Sequence, residues 1–375
     1  MRRSSKNSTH RKRRIAGILL MAGIPALVAV FVVSSLIVGG GAQSGSVFAA
    51  GQNPAQAFLY KIAIRSVGGD RISRAADSVG RSRATDYVPQ PKDEMSFRLD
   101  ARRLIFAKPG EELKLEVDAA PPGADSSDVA YSSSDENVAT VSEDGTVTAT
   151  NYGKCTINAK LDGHTTSAAV TVAKKWVAIT FDDGPGADTP RLLEAMKAKG
   201  VYSTFFIVGS NGAGEKGQER MKAVYKEGNE IANHTYDHNG SASNVLGSLK
   251  KADEVIKKAT GKPAVLMRPP GGAINENTKK NGLPIIMWSL DPQDWKHRNA
   301  DYVTDYVTKH VESGQIVLLH DIHKTSVDAA IRIFDILDKQ GYAFMTVSQI
   351  LDDPQPNTVY NKGSSSEVKT MKIPY

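Results

Sequence analysis

After residue 173 the sequence alternates between short apolar segments and longer helical patterns, and this alternation limits the folds open to the chain. The strand candidates are Val177–Phe181, Ser203–Val208, Glu230–Asn233, Ala264–Met267, Pro284–Leu290, Gln315–Leu319 and Ala343–Val347. The segments between them have helical patterns, and several end in a glycine, as helices commonly do. Seven β-then-α units in about 175 residues indicate a parallel sheet, either barrel-like or doubly wound. We therefore predict an α/β domain over residues 174–353.

The first strand candidate ends in two adjacent acids. Val177–Phe181 is apolar and rich in β-branched and aromatic residues, and Asp182, Asp183, Gly184 and Pro185 follow it directly. Burying charge is costly unless the charge is paired or bound to a metal. Two such acids could divide the chemistry, one holding a cation and the other handling a proton. Asp, Gly and Pro are also ordinary turn residues, so a surface turn is the alternative.

Other strand candidates also end in residues suited to catalysis. These are His234 and His238 after the third strand, Arg268 after the fourth, Asp291, Asp294 and Trp295 after the fifth, and His320 and Asp321 after the sixth. In an α/β barrel the carboxyl ends of the strands carry the active site. We therefore expect these side chains to meet in one place.

His234 and His238 are four residues apart, and on a helical turn this spacing places two imidazoles on the same side. With one carboxylate from Asp182 or Asp183 they offer two nitrogens and one oxygen. Such a set suits a catalytic Zn²⁺ with a position left for water, and it also suits the facial triad of non-haem Fe(II). Simple surface histidines are the alternative interpretation.

Five motifs occur in sequence order: Thr180–Pro185 (TFDDGP), His234–His238 (HTYDH), Arg268–Gly272 (RPPGG), Asp291–Trp295 (DPQDW) and Leu318–Asp321 (LLHD). Together they resemble the successive motifs of the NodB-homology polysaccharide deacetylases, which form carbohydrate esterase family 4. The resemblance covers about 175 residues. It implies a distorted (β/α) barrel and the metal-dependent removal of N-acetyl groups from a glycan.

The resemblance also implies how the metal and the protons are handled. Asp183, His234 and His238 would hold the metal, Asp182 would be the general base, and His320 would be the general acid that protonates the leaving amine. The expected ion is Zn²⁺, with Co²⁺, Ni²⁺, Mn²⁺ or Fe²⁺ as alternatives.

The remaining motif residues would support this centre. Arg268 would keep the general base ionised, with Asp294 orienting Arg268, and the backbone N–H of Gly271 would help to bind the oxyanion. Trp295 and Leu318 would wall the pocket for the acetyl methyl group. Without the resemblance, Arg268 and Asp294 could form a structural ion pair, and Trp295 and Leu318 could simply pack in the core.

The N-terminal residues predict export. Residues 1–14 contain seven Lys or Arg and no acid, which leaves 40 basic against 41 acidic residues in the rest of the chain. The basic pI thus belongs to the tail and gives no support to nucleic-acid binding. The apolar segment 15–38 is long enough for a membrane anchor, which takes roughly 20 residues. A cleaved signal, ending near Val47–Ala49, is the alternative.

The positive-inside rule keeps residues 1–14 in the cytoplasm and the rest outside. We predict a spacer over residues 39–95 and a small all-β sandwich over residues 96–173, because short alternating strands are separated there by turn residues. Tyr131–Val141 and Asp144–Ala149 closely resemble group 2 bacterial Ig-like domains. The lone Cys155 excludes an intramolecular disulfide and is expected to be buried. Residues 354–375 are predicted to be a flexible tail.

Topology and family together predict a membrane-anchored, extracellular deacetylase that acts on N-acetylglucosamine of peptidoglycan, with a monomer assumed. The alternatives within the enzyme class are N-acetylmuramic acid, an exopolysaccharide such as poly-N-acetylglucosamine or a chitin-like polymer, and O-deacetylation. From another class, the chain could be an inactive cell-wall glycan-binding protein. The complete set of acid, base and ligand residues argues against that alternative, because binding alone does not require them together.

Overall fold

The computed structural model describes residues 97–351 and 353–375. The predicted cytoplasmic tail (1–14), apolar segment (15–38) and spacer (39–95) lie outside the described residues. Over the described ranges, no helix combines the length and the apolar character needed to cross a membrane.

The strands of the first part are β1 (Arg98–Leu99), β2 (Arg103–Phe106), β3 (Glu112–Lys114), β4 (Val117–Ala119), β5 (Ala130–Ser133), β6 (Ala139–Val141), β7 (Thr146–Ala149), β8 (Gly153–Leu161) and β9 (His164–Val172). The second part contains β10 (Lys175–Asp182), β11 (Thr204–Ile207), β12 (Glu230–Asn233), β13 (Ile285–Ile286), β14 (Ile316–His320), β15 (Tyr342–Phe344), β16 (Val359–Tyr360) and β17 (Met371–Ile373). The helices are α1 (Thr189–Lys199), α2 (Gly209–Ala213), α3 (Glu215–Lys226), α4 (Val245–Thr260), α5 (Asp294–His297), α6 (Ala300–His310), α7 (Lys324–Lys339) and α8 (Val347–Ile350).

Strands β1 to β9 form a small sandwich. One sheet has the order β17-β2-β9-β8-β5, and a second sheet has the order β3-β7-β6. Apolar residues of both sheets, among them Leu104, Val147 and Ile157, share a buried core that also contains Cys155. The long β8–β9 hairpin turns at Asp162 and Gly163, whose φ values of 47° and 79° match the two-residue turn that suits paired strands.

Strands β10 to β15 form the α/β part, and their parallel pairings close into a ring. β10 lies between β11 and β14, and β11 pairs with β12. Single-residue parallel bridges then join Asn233 to Met267, Met267 to Ile285, and Leu290 back to Val317 of β14. β15 adds to the start of β10. The predicted α/β class is confirmed.

The predicted strands at 264–267 and 284–290 are shorter than expected. Within them, the structure contains only the bridges and the two-residue strand β13. Prolines at positions 263, 269 and 284 lack the N–H that would extend the ladder.

Alternation along β10 determines which side chains enter the ring. Val177, Ile179 and Phe181 pack outward in the core shared with the surrounding helices. Successive side chains of a strand point to opposite faces, so Thr180 and Asp182 face the interior. The general-base candidate is therefore presented at the carboxyl end of a buried strand.

The prediction of a flexible tail over residues 354–375 is wrong. β16 pairs with β13 of the ring, and β17 pairs antiparallel with β2 of the sandwich. The segment is polar overall, but Val368 and Ile373 are buried in a core beside the amino ends of the ring strands. Burying these two side chains and pairing the backbone offset the entropy lost by ordering the segment.

The sandwich and the α/β part share this core. Ile105 of β2 packs with Trp176 and Ala343. Arg103 of β2 is buried, donates a hydrogen bond of 3.0 Å to the carbonyl of Phe344 and lies over the ring of Tyr202. The Ig-like part is therefore packed into the α/β part through a buried interface.

Candidate metal and catalytic site

Asp182 and Asp183 stand where β10 ends, and their backbones direct them differently. Asp182 is the last residue of the strand and is almost completely buried. Asp183 has a φ of 70°, in the left-handed region that costs a non-glycine residue about 1–2 kcal/mol. Asn211 donates a hydrogen bond of 2.7 Å to the carbonyl of Asp183 and so holds this conformation.

His234 and His238 follow β12 in an irregular loop, and the expectation of a helical turn is wrong. Positive φ values at Thr235 (65°) and His238 (53°) fold the loop back, and the two imidazole centroids lie 5.1 Å apart. The buried Asn233 accepts from the N–H of Thr235 and donates to the carbonyl of Leu249. The loop is thereby fixed to α4.

The loop is also tied to α4 through Asp237. Its carboxylate accepts hydrogen bonds from the hydroxyl of Ser248 at 2.6 Å and from the amide of Asn244 at 2.9 Å. The hydroxyl of Ser248 in turn accepts from the N–H of Tyr236. Asp237, the acid within the HTYDH motif, therefore supports the loop.

Asp183, His234 and His238 converge on one point, as the spacing of the motifs predicts. One ligand atom from each lies within 4.8 Å of the others. Asp183 Oδ1 is 3.4 Å from His234 Nε2 and 3.2 Å from His238 Nε2. Ligands about 2.0–2.1 Å from one tetrahedral ion lie roughly 3.3 Å apart, so this spacing fits zinc.

Hydrogen bonding identifies which nitrogen of His234 faces the shared point. His234 Nδ1 lies 2.7 Å from the carbonyl of Arg268, which can only accept, so Nδ1 carries the proton and Nε2 faces Asp183 with its lone pair. Asp183 Oδ1 is buried and has no hydrogen-bond partner within the described chain. A buried carboxylate oxygen that faces two imidazole nitrogens without a hydrogen-bond partner is costly in the absence of a cation, so these residues fit a divalent metal ion.

The protonation states agree with a metal-binding set. Burial would raise the pKa of Asp183, yet at the low pH where this carboxyl titrates, hydrogen bonding and charge from the imidazoles of His234, His320 and His238 lower it to about 2. Burial lowers the pKa of His238. At neutral pH the site therefore offers one carboxylate, and a neutral His238 able to coordinate.

Arg268 is fully buried and holds Asp182 from inside the ring. Its Nη1 donates to Asp182 Oδ1 at 2.6 Å and to Thr180 Oγ1 at 2.8 Å. Its Nε and Nη2 donate to the carbonyls of Ile286 and Met287. The guanidinium therefore gives Asp182 a charge-assisted hydrogen bond and fixes its orientation.

Asp294 does not contact Arg268 as predicted, and instead holds His320. Asp294 Oδ1 lies 2.8 Å from His320 Nδ1, and Oδ2 accepts from the His320 N–H, also at 2.8 Å. Burial alone would lower the pKa of His320, but the hydrogen bond and charge of Asp294 raise it to about 9. Arg268 is oriented by backbone carbonyls, which leaves Asp294 free to keep His320 protonated at neutral pH.

With this geometry in place, comparisons with known proteins identify the family. The family model for polysaccharide deacetylase matches residues 169–284, and the model for the bacterial Ig-like domain (group 2) matches residues 96–172. A peptidoglycan-N-acetylglucosamine deacetylase of Bacillus cereus is 36% identical over 192 residues, covering 48% of this chain and 89% of that protein. The chain belongs to the polysaccharide deacetylase family.

Two longer deacetylases match the same part of the chain. The peptidoglycan-N-acetylglucosamine deacetylase PgdA of Listeria monocytogenes is 38% identical over 182 residues, and the peptidoglycan-N-acetylmuramic acid deacetylase PdaC of Bacillus subtilis is 37% identical over 183 residues. Each match covers 47% of this chain and 39% of the relative. The chain therefore spans well under half the length of these two relatives.

The other predicted residues of the deacetylase domain lie around this centre. Gly271, in a 3-10 turn after Arg268, has a φ of 58° that favours glycine. Among the described residues its N–H finds no acceptor, so it is available to a ligand. Leu318 is buried in β14, whereas Trp295 in α5 is 48% exposed.

The deacetylase domain also uses residues that the sequence analysis missed. Thr180 bonds Arg268, and it could have been found because it lies two residues before Asp182 on the same face of β10. Asp321, which follows the sixth predicted strand, is fully buried and accepts hydrogen bonds from the hydroxyl of Thr189 and the N–H of Gly186. Burial raises its pKa to about 6. It therefore anchors the loop that follows Asp183.

Proposed function

We propose that the chain is a metal-dependent deacetylase that removes N-acetyl groups from an extracellular glycan, on a distorted (β/α) barrel. The observation that carries the proposal is the arrangement of Asp183, His234 and His238 beside Asp182, which pairs with Arg268, with a protonated His320 at the end of the adjacent strand. Amide hydrolysis needs an activated water, a stabilised oxyanion and a proton for the amine, and this set can provide each of them.

A divalent cation bound by the three ligands would lower the pKa of a water molecule and polarise the acetyl carbonyl. Asp182, held in place by Arg268, would accept a proton from the attacking water. The N–H of Gly271 donates to the oxyanion, and His320 Nε2 gives its proton to the departing amine. Trp295 and Leu318 enclose the acetyl methyl group.

Zinc is the ion we propose. Two imidazoles and one carboxylate form the ligand set of catalytic zinc sites, and the ligand separations fit tetrahedral coordination. Co²⁺, Ni²⁺, Mn²⁺ and Fe²⁺ accept the same donor types, so metal content and metal reconstitution should be measured together.

The substrate we propose is N-acetylglucosamine of peptidoglycan. The B. cereus and L. monocytogenes relatives are named for that sugar, whereas the B. subtilis relative is named for N-acetylmuramic acid, which makes muramic acid the second candidate. We further propose that the apolar segment 15–38 anchors the chain with the catalytic part outside the membrane, where the cell wall lies within reach. Recovery of the chain in the membrane fraction would support the anchor, and recovery of a shortened chain in the medium would contradict it.

The test is acetate release by the full-length chain, with Zn²⁺ and with a chelator. N-acetylglucosamine oligomers and purified peptidoglycan are the substrates, and acid hydrolysis then identifies which amino sugar has gained a free amine. We expect metal-dependent release that Asp182→Asn abolishes and that Asp305→Asn, a change of an exposed helix residue, leaves intact. A folded, zinc-loaded chain that releases no acetate from either glycan would overturn the proposal and favour a glycan-binding protein.

A further inference from the structure

Two unpaired cations lie on the rim of the proposed site, directly after Trp295. Lys296 and Arg298 belong to α5 and its C-terminal cap, and both are exposed. Within the described chain neither side chain forms a hydrogen bond or an ion pair. We call Lys296 and Arg298 the cationic rim.

The cationic rim is held beside the proposed general acid. Asp294, the first residue of α5, bonds both Nδ1 and N–H of His320, and the N–H of Arg298 donates to the carbonyl of Asp294. From the other side, the ring of His323 lies 6.2 Å from the ring of His320. Burial and then the charge of Arg298 lower the pKa of His323, so Arg298 lies close to His323 and, through it, to the proposed proton donor.

Three neighbouring acids are bound to other groups and do not pair with the cationic rim. Asp294 is bound to His320, Asp301 pairs with Arg332, and Asp328 pairs with Lys324 and Arg191. Burial and the charge of Arg298 lower the pKa of His323, so His323 is neutral at pH 7. The rim therefore presents two positive charges to an incoming ligand.

We propose that the cationic rim binds a carboxylate carried by the glycan next to the sugar that is deacetylated. A sugar that stacks on the exposed face of Trp295 brings its neighbouring substituents towards Lys296 and Arg298. A guanidinium and an ammonium are the side chains best suited to a carboxylate. The site would thus prefer an acidic, peptidoglycan-type strand to a neutral, chitin-type oligomer.

This inference rests on the proposed deacetylase function and specifies its substrate class. The carboxylate could come from the lactyl ether of muramic acid or from the peptide stem attached to it. Glycan strands with stems and strands stripped of stems separate these two sources. Methyl esterification removes the charge from either strand and leaves its sugars unchanged.

The experiment compares the full-length chain with the double variant Lys296→Gln/Arg298→Gln on each strand before and after esterification. In the parent chain, kcat/KM should be higher for acidic strands than for esterified strands. We expect this ratio to be about three- to tenfold smaller in the double variant, mainly through KM, because exposed charge pairs are individually weak. The same preference should fall at high salt in the parent chain. A loss seen with stripped strands identifies the lactyl ether as the source of the carboxylate. A loss seen only with stem-bearing strands identifies the peptide stem.

A matched control removes two charges at the other end of the molecule. Lys108→Gln/Lys160→Gln changes exposed lysines of the Ig-like part, which joins the amino end of β10, whereas the site lies at its carboxyl end. We expect this control to keep the parent ratio. An equal ratio in the parent and the rim variant, with both active, would show that the rim does not select acidic strands.

Binding separates this inference from the proposed function. Calorimetry with Asp182→Asn, alone and combined with the rim changes, measures affinity for acidic and esterified strands without turnover. A rim-dependent preference for acidic strands would support the rim even if the parent chain released no acetate. Equal affinity for acidic and esterified strands would refute it, even if deacetylation were established.

Discussion

Asp294 holds His320 through two hydrogen bonds of 2.8 Å and keeps its pKa near 9. The imidazole therefore carries its proton below pH 9, and a reaction that needs this proton slows as the pH rises through that value. Asp294→Asn removes the negative charge beside His320 but leaves the imidazole buried, and burial lowers the pKa of His320. We expect the alkaline fall of kcat to move to lower pH and the rate at pH 8 to drop by about a hundredfold.

The pH–rate profile of Asp294→Asn measures this shift, and Asp291→Asn is the control. Asp291 is a nearby acid that bonds the N–H of Gln293 and makes no hydrogen bond to His320. Its removal should move the alkaline limb much less. An alkaline limb that stays in place in Asp294→Asn would show that this contact does not set the protonation of His320.

Thr180 supports the base from within the ring, and its loss should appear in stability as well as in activity. Its hydroxyl accepts from Arg268 and donates to the carbonyl of Val317, both at 2.8 Å. Thr180→Val keeps the shape of the side chain, but the guanidinium of Arg268 and the carbonyl of Val317 each lose one hydrogen-bond partner. We expect this loss to lower the free energy of unfolding by about 1–3 kcal/mol.

Urea denaturation measures this cost, and a second buried threonine provides the control. The hydroxyl of Thr304 in α6 has no hydrogen-bond partner within the described chain, so Thr304→Val should change stability little. Equal losses in Thr180→Val and Thr304→Val would mean that the hydrogen bond to Arg268 adds nothing to the free energy of unfolding.

At the scale of elements, the loop after β10 has one position, residue 184, where only glycine fits. A Cβ on Gly184 would lie 2.4 Å from Asp321 Oδ1, and Asp321 holds the same loop through Thr189. Gly184→Ala should therefore displace the loop and with it Asp183, lowering the free energy of unfolding by about 1–3 kcal/mol and weakening zinc binding.

Calorimetric zinc affinity and thermal unfolding test this prediction against Gly247→Ala. Gly247 lies inside α4, where a Cβ meets no atom within 4 Å, so alanine should stabilise the helix by about 0.5–1 kcal/mol. Unchanged zinc affinity in Gly184→Ala would show that the loop moves without moving Asp183.

Elements were predictable to different degrees, for physical reasons. β12 lies where the strand pattern places it, because a short segment with three buried residues, bounded by turns, has few alternatives. The metal ligands were predictable from their position at strand ends. The partner of Asp294 was not, because Arg268 and His320 are both suitable partners and only three-dimensional packing selects one. β17 has three residues in a polar segment, and its pairing with β2 joins positions more than 260 residues apart.

At the scale of the whole molecule, the Ig-like part and the C-terminal segment complete the α/β part. The hydroxyl of Ser313 donates to the carbonyl of Ser366, and the indole N–H of Trp176 donates to the carbonyl of Ser365 at 3.1 Å. Arg103 and Ile105 enter from the sandwich. A fragment that begins at residue 174, or one that ends at residue 353, would expose this core to water.

We therefore expect the two parts to unfold in a single calorimetric transition, because a shared core couples their stabilities. Ile373 of β17 is buried, and Ile373→Ala should cost about 2–4 kcal/mol and lower the temperature of that one transition. Val359 of β16 is 43% exposed in the same segment, so Val359→Ala is the control and should cost much less. Two separate transitions in the parent chain, with Ile373→Ala shifting only one of them, would mean that the sandwich folds independently. A single transition would mean that a catalytic fragment should be prepared with the Ig-like part and the C-terminal strand retained.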